Sequence, residues 1–143
     1  MSRAEEVLIR IRTVQAMPDE MPEVMELQSD GTLTRFPDHM ELSYVESEVT
    51  GLEGVRTTFA VYGTERVELI RDGEKLKNRM TFQLGKKTDS LYDVGFGALL
   101  ITVGATRLEI DPSSRRFTVE YTVEVEHTLM GTNTYEVTYR AKE

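Results

Sequence analysis

The chain has 143 residues, with 17 basic against 25 acidic side chains and a formal net charge of −8. One domain spanning residues 1–143 suits that length, and 39% hydrophobic with 29% charged residues excludes global disorder. The acidic balance argues against nucleic acid or anionic membrane as a partner, and zero cysteines exclude disulfides and thiolate chemistry.

The chain opens Met1-Ser-Arg-Ala-Glu-Glu-Val, which lacks the apolar core of a signal peptide. Val7, Ile9 and Ile11 then alternate with Arg10 and Arg12. Such period-two alternation marks a strand with one face in a core and one in water. Met17 to Pro22 carries two prolines and reads as an irregular connection, and Asp30-Gly31 reads as a hairpin turn. Met40, Leu42 and Tyr44 alternate with polar neighbours, as do Val55, Thr57, Phe59 and Val61. Gly51 to Gly54 separates those two runs. Val67 and Leu69, then Met80, Phe82 and Leu84, continue the pattern beyond the turns at Gly63 and Asp72-Gly73. Lys87 to Tyr92 is the best candidate for a helical turn, with Asp89 or Ser90 as its cap.

From Phe96 to Val103 both faces are apolar, which requires a cover on each side. Leu99, Ile101 and Val103 sit at odd positions, whereas Leu108 and Ile110 sit at even ones. A turn or bulge is therefore expected at Gly104. Asp111-Pro112-Ser113-Ser114 is a turn. Phe117, Val119, Tyr121, Val123 and Val125 form the clearest inward row, and Tyr135, Val137 and Tyr139 close the chain. Eight to ten short strands with such punctuation predict an all-β, antiparallel sandwich or barrel. No stretch reaches the roughly 20 apolar residues of a membrane helix, so a cytoplasmic protein is expected.

Several of these residues recur in one order. Gly31, Leu42-Ser43-Tyr44 with Glu46, Arg71-Asp72-Gly73, Arg79 to Phe82, Gly85, Thr88, Tyr92 with Phe96-Gly97, and the hairpin from Phe117 to Tyr139 run along nearly the whole chain. In that order they resemble the YwiB-like bacterial family, whose function is uncharacterised. The resemblance implies a lipocalin-like (calycin) antiparallel β-barrel and supplies no catalytic residues. The sequence departs from the family pattern around Gly51 to Gly54 and at the prolines of 17–22. A closed barrel also removes the open sheet edges that many short strands would otherwise expose.

Chemical motifs are weak. Gly85-Lys86-Lys87-Thr88 lacks the spacing of a phosphate loop, because position 80 is Met. Gly95-Phe96-Gly97 lacks the third glycine of a dinucleotide fingerprint. His39 and His127 have no metal-ligand spacing, and Gly-x-Ser-x-Gly is absent. Glu120, Glu124 and Glu126 share the face opposite the apolar row, so they read as a solvated surface. No metal or cofactor is expected.

The best polar constellation joins two strand ends. Glu46 shares parity with Met40, Leu42 and Tyr44, and Arg71 with Val67 and Leu69. Both should point inward, where a charge needs a partner. They are expected to pair at a barrel mouth walled by Tyr44 and Tyr92, whose rings bury area while their hydroxyls seek partners. Three functions compete. The first is non-catalytic binding of a small apolar or amphipathic ligand in the barrel. The second is a filled barrel that forms a homodimer through the doubly apolar strand at 96–103. The third, an enzyme acting through the Glu46 and Arg71 region, has the least support. Lumen volume separates the first two: Phe59, Phe82, Phe117 and the tyrosines either fill the interior or leave it open.

Overall fold

The alternating rows fix which side of each strand faces inward, and the barrel follows from joining those sides. In the computed structural model, which describes residues 3–74, 76–93 and 97–142, the described chain is almost entirely strand. The strands are β1 (Arg3–Ala16), β2 (Glu23–Arg35), β3 (Met40–Val45), β4 (Arg56–Tyr62) and β5 (Arg66–Asp72). They continue with β6 (Lys77–Gln83), β7 (Lys87–Asp93), β8 (Ala98–Asp111), β9 (Arg116–Val125) and β10 (Thr128–Ala141). Each pairs antiparallel with its sequence neighbours, and β1 pairs with β10 to close the barrel. The closing ladder runs from Val7 opposite Ala141 to Ala16 opposite Thr132.

The predicted inward rows face the core. Val7, Ile9, Ile11, Leu42, Tyr44, Phe59, Val67, Leu69, Phe82, Phe117, Val119 and Tyr121 are all buried. The outward rows carry charge, in ion pairs such as Arg12 with Glu136, Arg79 with Glu68 and Lys87 with Glu124. That is the reverse of the apolar outer band of a lipid-facing barrel. No helix among the described residues is long and apolar enough to cross a membrane.

Four local expectations are corrected. Asp30-Gly31 is not a turn but lies inside β2, opposite Leu8 and Val7. A Cβ at Gly31 would strike the Ile9 side chain and come within 2.6 Å of the Ser43 carbonyl oxygen, so glycine serves close strand approach there. Lys87 to Tyr92 is β7 rather than a helical turn, and the helical turn that forms is 3₁₀, at Glu48–Thr50. Leu84 lies past the end of β6 and is exposed. The parity change in β8 falls two residues after Gly104, where the register slips between Ala105 and Arg107. Thr106 is the extra residue, and beyond it Leu108 and Ile110 pack against the core.

The expected second apolar face at 96–103 is only partly described, since Phe96 lies outside the described residues. Ile101 and Val103 are buried in the barrel, while Ala98 is exposed and Leu100 half-buried on the outer side. The segment 17–22 is the exposed tip of the β1–β2 hairpin, where Met21 is 88% exposed.

The β9–β10 turn is built from Glu126 and His127, with φ of 48° and 69°. Two positive φ values suit the right-handed twist of a two-residue hairpin, but each costs a non-glycine residue about 1–2 kcal/mol. Glu126 is tied down from both ends. Its N–H donates to the Leu100 carbonyl at 2.9 Å, and its carboxylate accepts from the Leu100 N–H at 2.9 Å. His127 has the strain without those bonds. His127→Gly should therefore raise stability by about 0.5–1 kcal/mol, after the extra unfolded-state entropy of glycine is subtracted. A urea midpoint that falls in the variant would contradict this.

At the opposite end of the barrel the β2–β3 connection holds His39 between two rings. Phe36 stacks on it at 4.7 Å and Tyr62 at 4.6 Å. Its Nδ1 lies 2.7 Å from Asp38 and its Nε2 lies 3.0 Å from Glu41. Partial burial pushes the imidazole pKa down, but hydrogen bonds to Glu41 and Asp38 outweigh it and hold it above the ordinary 6.5. Arg66, stacked on Tyr62 at 4.0 Å, is the cation facing this cluster. A raised folded value means that the stabilisation is complete below pH 6.5 and is lost as pH rises through the folded value. Stability should thus fall across the neutral range, and His39→Gln should flatten that slope. An imidazole that titrates below 6.5 in the folded protein would overturn this assignment.

Candidate functional site

Strand length makes the two ends of the barrel unequal. β1, β2, β8, β9 and β10 have between 10 and 14 residues, whereas β3 to β7 have 6 or 7. The β1–β2, β3–β4, β5–β6 and β9–β10 connections lie at one end, because successive strands alternate in direction. At that end a cavity of about 320 Å³ opens between the tall and short walls.

The floor of the cavity is aromatic. Phe117 meets Phe59 edge-on at 5.4 Å, and Phe59 meets Tyr135 at 5.7 Å. Tyr135 stacks on Tyr121 at 6.2 Å, and Tyr121 packs on Phe82 at 4.4 Å. Below these rings the inward positions carry buried side chains, Val7, Leu33, Val61 and Val67 among them. The interior is thus open at one end and lined by buried side chains toward the other.

Its walls differ in chemistry. The tall side presents Ile11, Met25, Leu27, Ile101 and Val123. The short side carries a polar row set by register: Tyr44 is opposite Thr57, Thr57 opposite Arg71, and Arg71 opposite Asn78. Asn78 then reaches Ser90 of β7 at 3.4 Å. Residues directly opposite on antiparallel strands share a face, so one inward position on β4 brings the whole row inward.

All four predicted site residues, Tyr44, Glu46, Arg71 and Tyr92, line this cavity. The expected pairing of Glu46 with Arg71 is corrected. They share the space, but no ion pair joins them among the described residues. Glu46 is buried, and its oxygens are occupied: Thr57 Oγ1 donates to one at 2.6 Å and Thr50 Oγ1 to the other at 3.0 Å. Its backbone N–H donates to Val55, and its carbonyl accepts from Gly54. The carboxylate therefore pins the 3₁₀ turn and the β3–β4 loop onto β4. This satisfies Glu46 without Arg71.

Arg71 donates instead to the Tyr135 hydroxyl at 2.8 Å, its one hydrogen bond among the described residues. Its Nε is buried and has no hydrogen-bond partner among the described residues. Burial works against the Arg71 charge, but Tyr135, Tyr121 and Glu46 outweigh it, and its pKa stays above the ordinary guanidinium value. Burial likewise pushes Tyr121 up, and burial with the Glu46 charge pushes Tyr44 up, so both remain neutral hydroxyls. Asn133 donates to Tyr121 at 3.4 Å. Sequence parity singles out Glu46 and Arg71. It gives no signal for Thr57 as the carboxylate's partner or for Tyr135, 64 residues along the chain, as the guanidinium's.

The arrangement places a cation, neutral hydroxyls and an apolar wall around a small space. The one carboxylate on the wall with a buried position is already bonded to two hydroxyls. The fold recurs in the crystal structure of ywiB protein from Bacillus subtilis, with a TM-score of 0.77 and 20% identity. That match covers 98% of this chain and 94% of the other. No curated protein matches the chain. The family described as "Domain of unknown function (DUF1934)" matches residues 9–137, from within β1 to within β10, and the chain belongs to that family.

Proposed function

We propose that this barrel is a non-catalytic binding protein of the cytosol that takes a small, partly apolar molecule into its open half. The observation carrying the reading is the cavity of about 320 Å³, placed where inward rows would otherwise meet. Ligand pockets begin at about 300 Å³, so the space suits a small molecule rather than a large cofactor. Protein interiors pack with few voids larger than a water molecule, and a void of this size forfeits contacts that larger side chains would supply. Tyr44 and Tyr92 serve as wall groups that pack against the ligand body and offer hydroxyls to it.

Native mass spectrometry of protein purified from its source tests the reading. The wild-type chain should carry a small-molecule mass that denaturing extraction releases. Val123→Trp, which fills the mouth, should run at the bare mass. The reading fails if wild type runs bare and added 1-octanol shifts no NMR resonance of the lining residues.

A second reading is a homodimer joined through the outer face of β7 and β8. Leu91, 64% exposed, lies opposite Leu100, with Ala98 exposed beside them. Leu91→Lys should turn a dimer into a folded monomer in sedimentation. Wild-type protein sedimenting as a monomer at high concentration would end this second reading and leave the first intact.

A further inference from the structure

Resting on the binding reading, we propose that the ligand is a singly charged organic anion, a carboxylate with an apolar body, held by Arg71 and Tyr135. A guanidinium is costly to place inside a barrel unless it is paired. Here it is not paired with a carboxylate. Glu46 is the acid on the same wall, and Thr57 and Thr50 already donate to its two oxygens. One of five guanidinium N–H bonds is used among the described residues, in the contact to Tyr135. The unmet donors have the planar fork geometry that fits a carboxylate.

Tyr135 strengthens the assignment. Its oxygen accepts from Arg71, which leaves its own O–H to donate. An anion bound at the guanidinium could accept from both. The apolar body would then lie against Ile11, Leu27, Ile101 and Val123 of the tall wall. The negative charge of Glu46 beside the site makes every added negative charge costlier, so the direct bond to one guanidinium can offset one charge but not two, which selects against dianions. A phosphate monoester also fits the guanidinium fork but is close to a dianion at neutral pH, so that repulsion disfavours it.

Calorimetric titration of the full chain at neutral pH with octanoate, 1-octanol and octyl phosphate tests this. Octanoate should bind about tenfold or more tighter than octanol, as a charge-assisted, forked contact implies. In Arg71→Met that ratio should fall to near one, whereas Arg71→Lys should retain part of it. Tyr135→Phe should lower the ratio less than Arg71→Met does. Equal binding of octanoate and octanol by wild type would overturn the anion assignment and leave the cavity reading standing. Tighter binding of octyl phosphate than octanoate would overturn the monoanion assignment. Binding of none of the three would overturn both.

Discussion

Phe117→Ala should destabilise the protein by about 3–5 kcal/mol, whereas Leu27→Ala should cost only about 1–2 kcal/mol. Both positions face into the barrel, but Phe117 belongs to the aromatic floor and Leu27 borders the open space above it. Phe117 is 1% exposed and packs edge-on against Phe59 at 5.4 Å, so its loss opens a new void in the filled half. Leu27 is half-buried and borders the existing cavity, so fewer contacts are lost. Urea unfolding of the two variants measures the difference. Equal losses would mean that the upper half is packed as tightly as the lower.

Glu46→Leu should cost roughly 2–4 kcal/mol, although leucine is the more apolar residue. Thr57 is 0% exposed, and its hydroxyl would lose the carboxylate that accepts from it. The 3₁₀ turn would lose its tie through Thr50, and Arg71 would lose the nearby negative charge. Glu46→Gln keeps an acceptor for one hydroxyl and should cost less. A double-mutant cycle should show stronger coupling of Glu46 with Thr57 than with Arg71, since contact lies with the threonine. Dominant coupling to Arg71 would restore the ion pair that parity suggests.

These effects show where sequence reasoning reaches and where it stops. The β9 row is legible because every second residue from Phe117 to Val125 is apolar and the others are polar. β7 is hidden because its inward positions Thr88 and Ser90 are polar while Leu91 is apolar on the outer face, so no apolar period of two marks the core side. Asp30-Gly31 misleads for a physical reason: the same freedom from a Cβ serves tight turns and close strand contact. The structure selects the second through the approach of Ile9 and Ser43. For the site, parity reveals that Glu46 and Arg71 point inward, since it is a property of one strand at a time. It cannot reveal their partners, because register between strands decides those. Thr57 comes to lie between Tyr44 and Arg71 only once β3, β4 and β5 are aligned. The aromatic floor depends in the same way on rings from β4, β6, β9 and β10 meeting in the interior.

The split interior also explains why a binding site and a stable core coexist in a small barrel. Phe59, Phe82, Phe117 and Tyr121 are each 1% exposed and concentrate apolar burial in the floor itself. At about 25 cal/mol per Å², each such ring contributes roughly 1.5–3 kcal/mol relative to its exposed state. Above the floor, shape and charge are left to serve a ligand, and Arg71 can remain without a protein carboxylate.

The most direct test of that division is NMR on methyl-labelled protein titrated with octanoate. Intermolecular Overhauser contacts should run from the alkyl chain to Ile11, Leu27, Met80 and Ile101, with none to the paired Val61 and Val67 at the far ends of β4 and β5. Contacts confined to the exposed rim at Met21 and Val49, or contacts reaching Val61 and Val67, would contradict an interior that is closed below the rings and open above.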